Sequence, residues 1–266
     1  MASSHGKYCL GIDVGTQGTK AILYDLHTHS IVGRGAHSYD LLPRASPNAA
    51  EQEPSTWLEG IRASVAEALS SAGADAEDLA SVSVSGQQHG MVALDASGTA
   101  VRPAKLWCDT ESAPEAEELS KAFGWSMQAG FTASKALWLK RHEPENWART
   151  ATILLPHDYV NWYLTGVLAM EAGDASGVGV LDLATRTFKD EWCAAVDARF
   201  ASMLPKLLPP DATVGVVTAA AAAALGLRAG IPVAAGSGDN MMSALGAGCV
   251  AEVGGCSSSI QLTHSA

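Results

Sequence analysis

The sequence predicts an α/β fold built on a mixed β-sheet flanked by helices. Three observations lead there. Short apolar strands at 8–13, 19–25 and 31–36 follow one another before any helix begins. From residue 54 onward, helical and strand patterns alternate. Hydrophobic residues make up 47% of the 266-residue chain and 26 residues are glycine, which suits a sizeable core joined by tight turns. No tandem repeat, low-complexity linker or shift in composition divides the chain, so one domain is the simplest organisation.

The elements follow in order. The first strand stops at Asp13, turns through Gly15-Thr16-Gln17-Gly18 and resumes at Ala21-Ile22-Leu23-Tyr24, which is a hairpin. Pro54 sits where a helix would start. Trp57, Leu58, Ile61, Val65, Ala68 and Leu69 then recur at helical spacing, with Glu59, Arg62 and Glu67 on the other face. Leu79 to Ser85 reads as a strand ending in Gly86-Gln87-Gln88-His89-Gly90, and Met91 to Asp95 as another. Acid-rich Ser112 to Phe123 reads as a solvated helix. Ser134 to His142 and His157 to Leu164 read as helices, with a short buried strand, Thr152 to Leu155, between them. Gly173 to Gly177 reads as a polar turn, and the segment from Ala184 to Leu208 as mixed and helical. Ile231 to Ala235 is a strand leading through Gly236-Ser237-Gly238 into a small-residue helix, Asn240 to Gly248.

A net charge of −11 repels nucleic acid and anionic lipid, so neither is expected as a partner. A local anion site made of backbone amides stays compatible with it. Cys9, Cys108, Cys193, Cys249 and Cys256 form no C-x-x-C pair, and no His cluster completes a metal site. They read as small apolar residues in a reducing compartment. The first seven residues contain no apolar core of a secretory signal. The apolar run Ala219 to Leu227 is far too short to span a bilayer. A cytoplasmic setting is the expectation.

Four places carry candidate chemistry. The hairpin Gly11 to Lys20 presents backbone N–H groups in a turn, a concavity that suits phosphate, with Asp13 at its mouth placed for a hydrated Mg²⁺. An ordinary hairpin whose glycines supply positive φ is the plain alternative. Gln87-Gln88-His89-Gly90 lies past a strand end, where α/β proteins place ligand groups, and can hydrogen-bond hydroxyls and a ketone; a satisfied loop histidine is its alternative. Trp107-Cys108-Asp109 offers a ring wall beside a carboxylate, suited to a polyol, or else a core Trp and a helix N-cap. Asp239, after a buried strand and at a helix start, could take a proton from an attacking hydroxyl. It could equally cap the helix, whose dipole would hold it ionised. No G-x-x-x-x-G-K-[ST] loop is present, and Gly246 to Ala251 matches a dinucleotide pattern in the wrong context.

Taken together the chain resembles the FGGY carbohydrate kinases. The residues carrying the resemblance are Gly11 to Thr16, Glu51-Gln52-Glu53-Pro54, Gly86 to Gly90, Leu106 to Asp109, Gly130 to Lys135, Arg141 to Glu145, Leu154 to Tyr159 and Gly236 to Asn240. The resemblance implies a ribonuclease H-like, actin-like ATPase domain. It implies ATP-dependent phosphorylation of D-xylulose at its terminal hydroxyl, with ribulose and glycerol as rival substrates. By that likeness Asp239 is the general base, and Gln88, His89, Trp107, Asp109 and Asn240 bind the sugar. Asp13 positions Mg²⁺, and Asp13, Gly15, Thr16, Gln17 and Thr19 serve the ATP phosphates.

The chain departs from the family pattern in four places. Ala49-Ala50 stands where a Trp is expected, and the stretch between Phe123 and Gly130 is short. A second phosphate loop appears only as Val253-Gly254-Gly255-Cys256-Ser257-Ser258. The chain is also about half the family's length. Residues 7–250 are therefore expected to form the sugar-binding lobe, and 251–266 the truncated start of a nucleotide-binding domain. Poor catalysis by the chain alone and self-association, including a homodimer, are further expectations. A non-catalytic sugar-binding module is the competing reading.

Overall fold

The computed structural model describes residues 6–249. Six strands form the central sheet: Tyr8–Val14 (β1), Gly18–Asp25 (β2), Ser30–Ser38 (β3), Leu79–Gly86 (β4), Thr213–Val216 (β5) and Pro232–Gly238 (β6). Their order across the sheet is β5-β6-β4-β1-β2-β3. The first three pair antiparallel, β4 and β6 run parallel to β1, and β5 returns antiparallel along the edge. The sheet is mixed, as its sequence predicts.

Period-two burial sets the faces of the sheet. In β1, Tyr8, Leu10, Ile12 and Val14 all point into one core. Helix Pro54–Ala72 (α1) covers that face with Trp57, Ile61, Val65 and Ala68, each fully buried. Such side chains each contribute about 1.5–3 kcal/mol by leaving water. The helix sits directly on β3, where a Cβ on Gly35 would overlap the Ser64 carbonyl oxygen. Pro54 occupies the first turn of α1, and Gly73, in the left-handed region, ends it.

Helices Pro156–Thr165 (α4) and Ala219–Leu225 (α5) add to this same core. Helices Ala113–Phe123 (α2) and Thr132–His142 (α3) belong to a second apolar cluster, which includes Leu119, Leu139, Val180 and Phe200. Helix Asp239–Gly246 (α6) leaves the end of β6 with no buried residue of its own. Among the described residues no helix is long and apolar enough to cross a membrane.

Four expectations need correction. The acid-rich helix is amphipathic rather than wholly solvated, with Glu115, Ala116 and Leu119 buried. The expected turn at Gly173–Gly177 is helical, in the pieces Ala172–Ala175 and Ser176–Val178. The Glu171 carboxylate accepts the N–H groups of Gly173 (2.6 Å) and Asp174 (2.5 Å) and so caps the first piece. The edge strand β5 has no clear apolar signature in the sequence; it is short, contains Gly215 and is buried at no position. Cys9, Cys108 and Cys193 are free thiols, whereas Cys249 is disulfide-bonded.

What positions the site is the level ending of three parallel strands. Val14 pairs with Gly86, and Gly86 pairs with Gly238. A register shift between Ala234 and Ser237 makes this possible. Gly236 supplies it with a left-handed φ of 67° and no room for a Cβ beside the Val84 carbonyl oxygen. Gly236→Ala should lower stability by more than about 2 kcal/mol, read as a shift of the urea midpoint. Gly246→Ala, at the end of α6 with open space around it, should be neutral or stabilising by at most about 1 kcal/mol.

Candidate active site

Because β1, β4 and β6 end level, whatever follows each strand emerges at one edge. After β1 comes the turn at Gly15, after β4 the segment Gln87-Gln88-His89, and after β6 Asp239 and Asn240. The Asn240 amide nitrogen donates to Gln88 Oε1 at 2.8 Å. Gly238 lies flat against the Gln88 side chain, leaving no space for a Cβ. His89 holds a left-handed φ of 62°, uncommon for a non-glycine residue. Thr132 Oγ1 donates to its carbonyl at 3.1 Å, and its ring stands edge-on to Phe131 at 4.8 Å between centroids.

Asp239 occupies the first helical position of α6, with Gly238 as the N-cap. Its Oδ1 accepts the Asn240 N–H at 2.7 Å. The expected dipole effect does not dominate. Desolvation pushes the carboxyl pKa up, the Asn240 hydrogen bond opposes this, and the charges of Asp13 and Asp174 add to the rise. Asp13 lies at the mouth of the hairpin, as its sequence position suggests, and accepts from Ser85 Oγ at 3.1 Å. Among the described residues neither Asp13 nor Asp239 takes part in an ion pair.

The hairpin turn is tied down from behind. The Gly15 carbonyl accepts from Tyr39 Oη (2.9 Å), that of Thr16 from Gln52 Nε2 (2.8 Å), and that of Gln17 from the Tyr39 N–H (3.2 Å). In a trans peptide the N–H points opposite the C=O. The N–H groups of Thr16 and Gln17 therefore face away from these tethers, and among the described residues they have no acceptor. Such a pair of amides forms an anion-binding concavity. Two details differ from expectation. The Gly15 N–H is not available, because it closes the turn on the Gly18 carbonyl at 3.0 Å. Neither Gly15 nor Gly18 has positive φ; Gly18 is small because the His37 carbonyl oxygen approaches it.

The other sequence candidates divide. Trp107 is 43% exposed, and its indole N–H donates to Thr16 Oγ1 at 2.9 Å, which puts it beside the turn. Gln17 is exposed on the turn itself. Thr19 is not at the mouth. The alternation of β2 buries it fully, and its hydroxyl meets Tyr39 Oη at 3.1 Å. Asp109 is not open to a ligand either. It is fully buried, and Oδ2 accepts from Lys105 Nζ (3.1 Å) and the Ala50 N–H (2.9 Å), while Oδ1 accepts from the Glu111 N–H (3.1 Å). A buried carboxylate needs such partners, so Asp109 holds the loop and does not face the edge. It is not an N-cap of α2, a position held by Ser112.

A buried ionic cluster lies behind β6. His157 Nδ1 is 2.7 Å from Asp174 Oδ2, and Nε2 is 3.1 Å from Asp158 Oδ1. Glu171 Oε1 accepts from Ser237 Oγ at 2.6 Å, two residues before Asp239. Burial works to lower the His157 pKa, but Asp158, Asp174 and Glu171 outweigh it and push it up to about 9. Desolvation raises Asp158 to about 7 against the pull of His157. The local sequence assigns no role to this cluster, to Tyr39 or to Gln52. The contacts that matter include partners 17 to 66 residues away, beyond any local pattern.

The family model for the FGGY family of carbohydrate kinases, N-terminal domain, matches residues 8–246. A xylulose kinase of Haemophilus influenzae is 37% identical over 259 residues, covering 91% of this chain and 52% of that protein. One from Streptomyces coelicolor is 38% identical over 258 residues, with 93% and 52% covered. The crystal structure of xylulose kinase from Rhodospirillum rubrum superposes with a TM-score of 0.81 at 31% identity, over 90% of this chain and 50% of that one. The chain thus spans about half the length of the curated relatives it matches. The mixed sheet flanked by helices is the actin-like ATPase fold of these N-terminal domains. The match over nearly all of the described residues establishes that the chain belongs to the FGGY family of carbohydrate kinases.

Proposed function

We propose that residues 7–250 are the sugar-binding lobe of an ATP-dependent ketose kinase that phosphorylates D-xylulose at its terminal hydroxyl, in the cytoplasm. The observation that carries this reading is the shared edge: an acid, two amides, an imidazole and an anion-facing turn leave three level strands together. The relatives named xylulose kinase support the choice of sugar. Residues 251–266, read as the start of a second domain, lie outside the described residues.

In this reading the ketose lies along Gln88, His89 and Asn240, with Trp107 as a wall. Asp239 accepts the proton of the attacking hydroxyl. Desolvation lifts its pKa, and a carboxylate with a weaker conjugate acid is the better base. The amides of Thr16 and Gln17 hold phosphate oxygens. The site suits Mg²⁺: Asp13 and Asp239 are oxygen donors whose mutual repulsion a cation would relieve, and among the described residues no side-chain cation is paired with either. When bound, the ion supplies charge neutralisation at the transferring phosphoryl group. Phosphoryl transfer asks mainly for positioning, which level strand ends provide.

Calorimetry of the chain with D-xylulose tests the reading. Binding is expected, and no heat at millimolar sugar overturns it. In a polypeptide that also carries a nucleotide-binding lobe, Asp239→Asn should lower kcat by about 10²- to 10⁴-fold with KM for the sugar little changed. A stability effect accompanies this. A carboxyl whose folded pKa is raised favours the folded state only while protonated, and that advantage is lost as pH rises through the folded value. Asp239→Asn should therefore raise Tm at pH 7, and the gain should vanish on acidification to about pH 4, near the ordinary carboxylate range. Melting curves across pH check it.

A further inference from the structure

Gln52 is 1% exposed and uses its whole hydrogen-bonding capacity. Its Nε2 donates to the carbonyls of Thr16 (2.8 Å) and Asp40 (3.3 Å), and its Oε1 accepts from Trp57 Nε1 (2.9 Å) and Gln87 Nε2 (3.2 Å). The neighbours permit one orientation only. The Trp57 indole can only donate and the two carbonyls can only accept, so the amide cannot flip. That choice propagates. Gln87 must offer its nitrogen to Gln52 and its Oε1 to the Thr16 hydroxyl, at 2.9 Å. The Thr16 proton is then committed, and Thr16 Oγ1 accepts from the Trp107 indole. One directed chain thus runs from the exposed Trp107, through the turn residue Thr16 and the fully buried Gln87, to Gln52. Gln52 in turn grips the carbonyl whose peptide aims the Gln17 N–H outward.

We infer that Gln52 is a positioning residue that couples the sugar wall to the phosphate-facing turn, so that sugar seated against Trp107 tightens anion binding at the Thr16 and Gln17 amides. The inference rests on the proposed sugar and phosphate roles of the edge. Mechanically it needs no large motion. Fixing the indole removes a degree of freedom from Thr16, and the same residue supplies both the hydroxyl in the chain and an N–H at the anion. Coupling of this kind is reciprocal.

The test is a titration of the chain with inorganic phosphate at fixed Mg²⁺, with and without D-xylulose. It is followed by the Trp107 indole N–H resonance, assigned by its loss in Trp107→Phe. In the wild-type chain, saturating sugar should tighten phosphate binding about fivefold or more. In Gln52→Glu, which turns an oxygen toward two carbonyls, the factor should fall to about one. Thr16→Val cuts the chain on the turn without touching the core, and it should give the same loss even if Gln52→Glu folds poorly. Thr16→Ser keeps the hydroxyl and should restore the factor. A wild-type chain that binds both ligands independently overturns the inference and leaves the proposed function standing, as does a Thr16→Val chain with undiminished coupling. A wild-type chain that binds no D-xylulose overturns both.

Discussion

The level ending of β1, β4 and β6 is the constraint on which everything else rests. Parallel strands place their C-terminal ends on one side of a sheet, and register decides whether those ends are flush. Here they are flush at Val14, Gly86 and Gly238. A slip of one residue would turn every side chain of the slipped strand to the opposite face. The irregularity at Gly236 therefore sets where Asp239 stands. The acid, the amides and the turn meet because a backbone shift upstream lets β6 finish beside β4.

Sequence revealed the parts of this arrangement that depend on neighbours along the chain. Apolar alternation marks β1 and β2, Pro54 marks the start of α1, and an acid after a buried strand marks Asp239. The remainder depends on contacts between distant segments. Thr19 looks like a member of the phosphate turn until the parity of β2 turns it inward against Tyr39. Asp109 looks open until Lys105 and the Ala50 amide claim it. The Asp239 pKa follows the helix dipole on paper, but burial and the nearby charges of Asp13 and Asp174 decide its direction. Gln52 shows no chemistry in its local motif, because its meaning lies in four partners, three of them more than ten residues away.

Two buried ionic groups frame the edge, and they behave differently. Glu51, Asp109 and Glu111 bring oxygens close enough to suit a metal ion, yet the Lys105 ammonium lies within 3.1 Å of all three and against the face of Trp138. There the lysine sits where an ion would, and the group serves the loop carrying Trp107. The cluster of His157, Asp158, Asp174 and Glu171 is richer in acid than in base, and Ser237 ties it to the strand end that bears Asp239. Its excess negative charge reaches Asp239, since Asp174 contributes to the raised pKa there.

The turn at Gly15 to Gly18 carries no charged side chain, and its pull on an anion comes from amide dipoles. Dipolar attraction fades within a few ångströms, whereas the repulsion of a chain with net charge −11 extends to about a Debye length. In the proposed function, the turn itself would engage phosphate on contact and would do little to draw it from a distance. On that proposal the turn selects by shape and leaves steering to other groups.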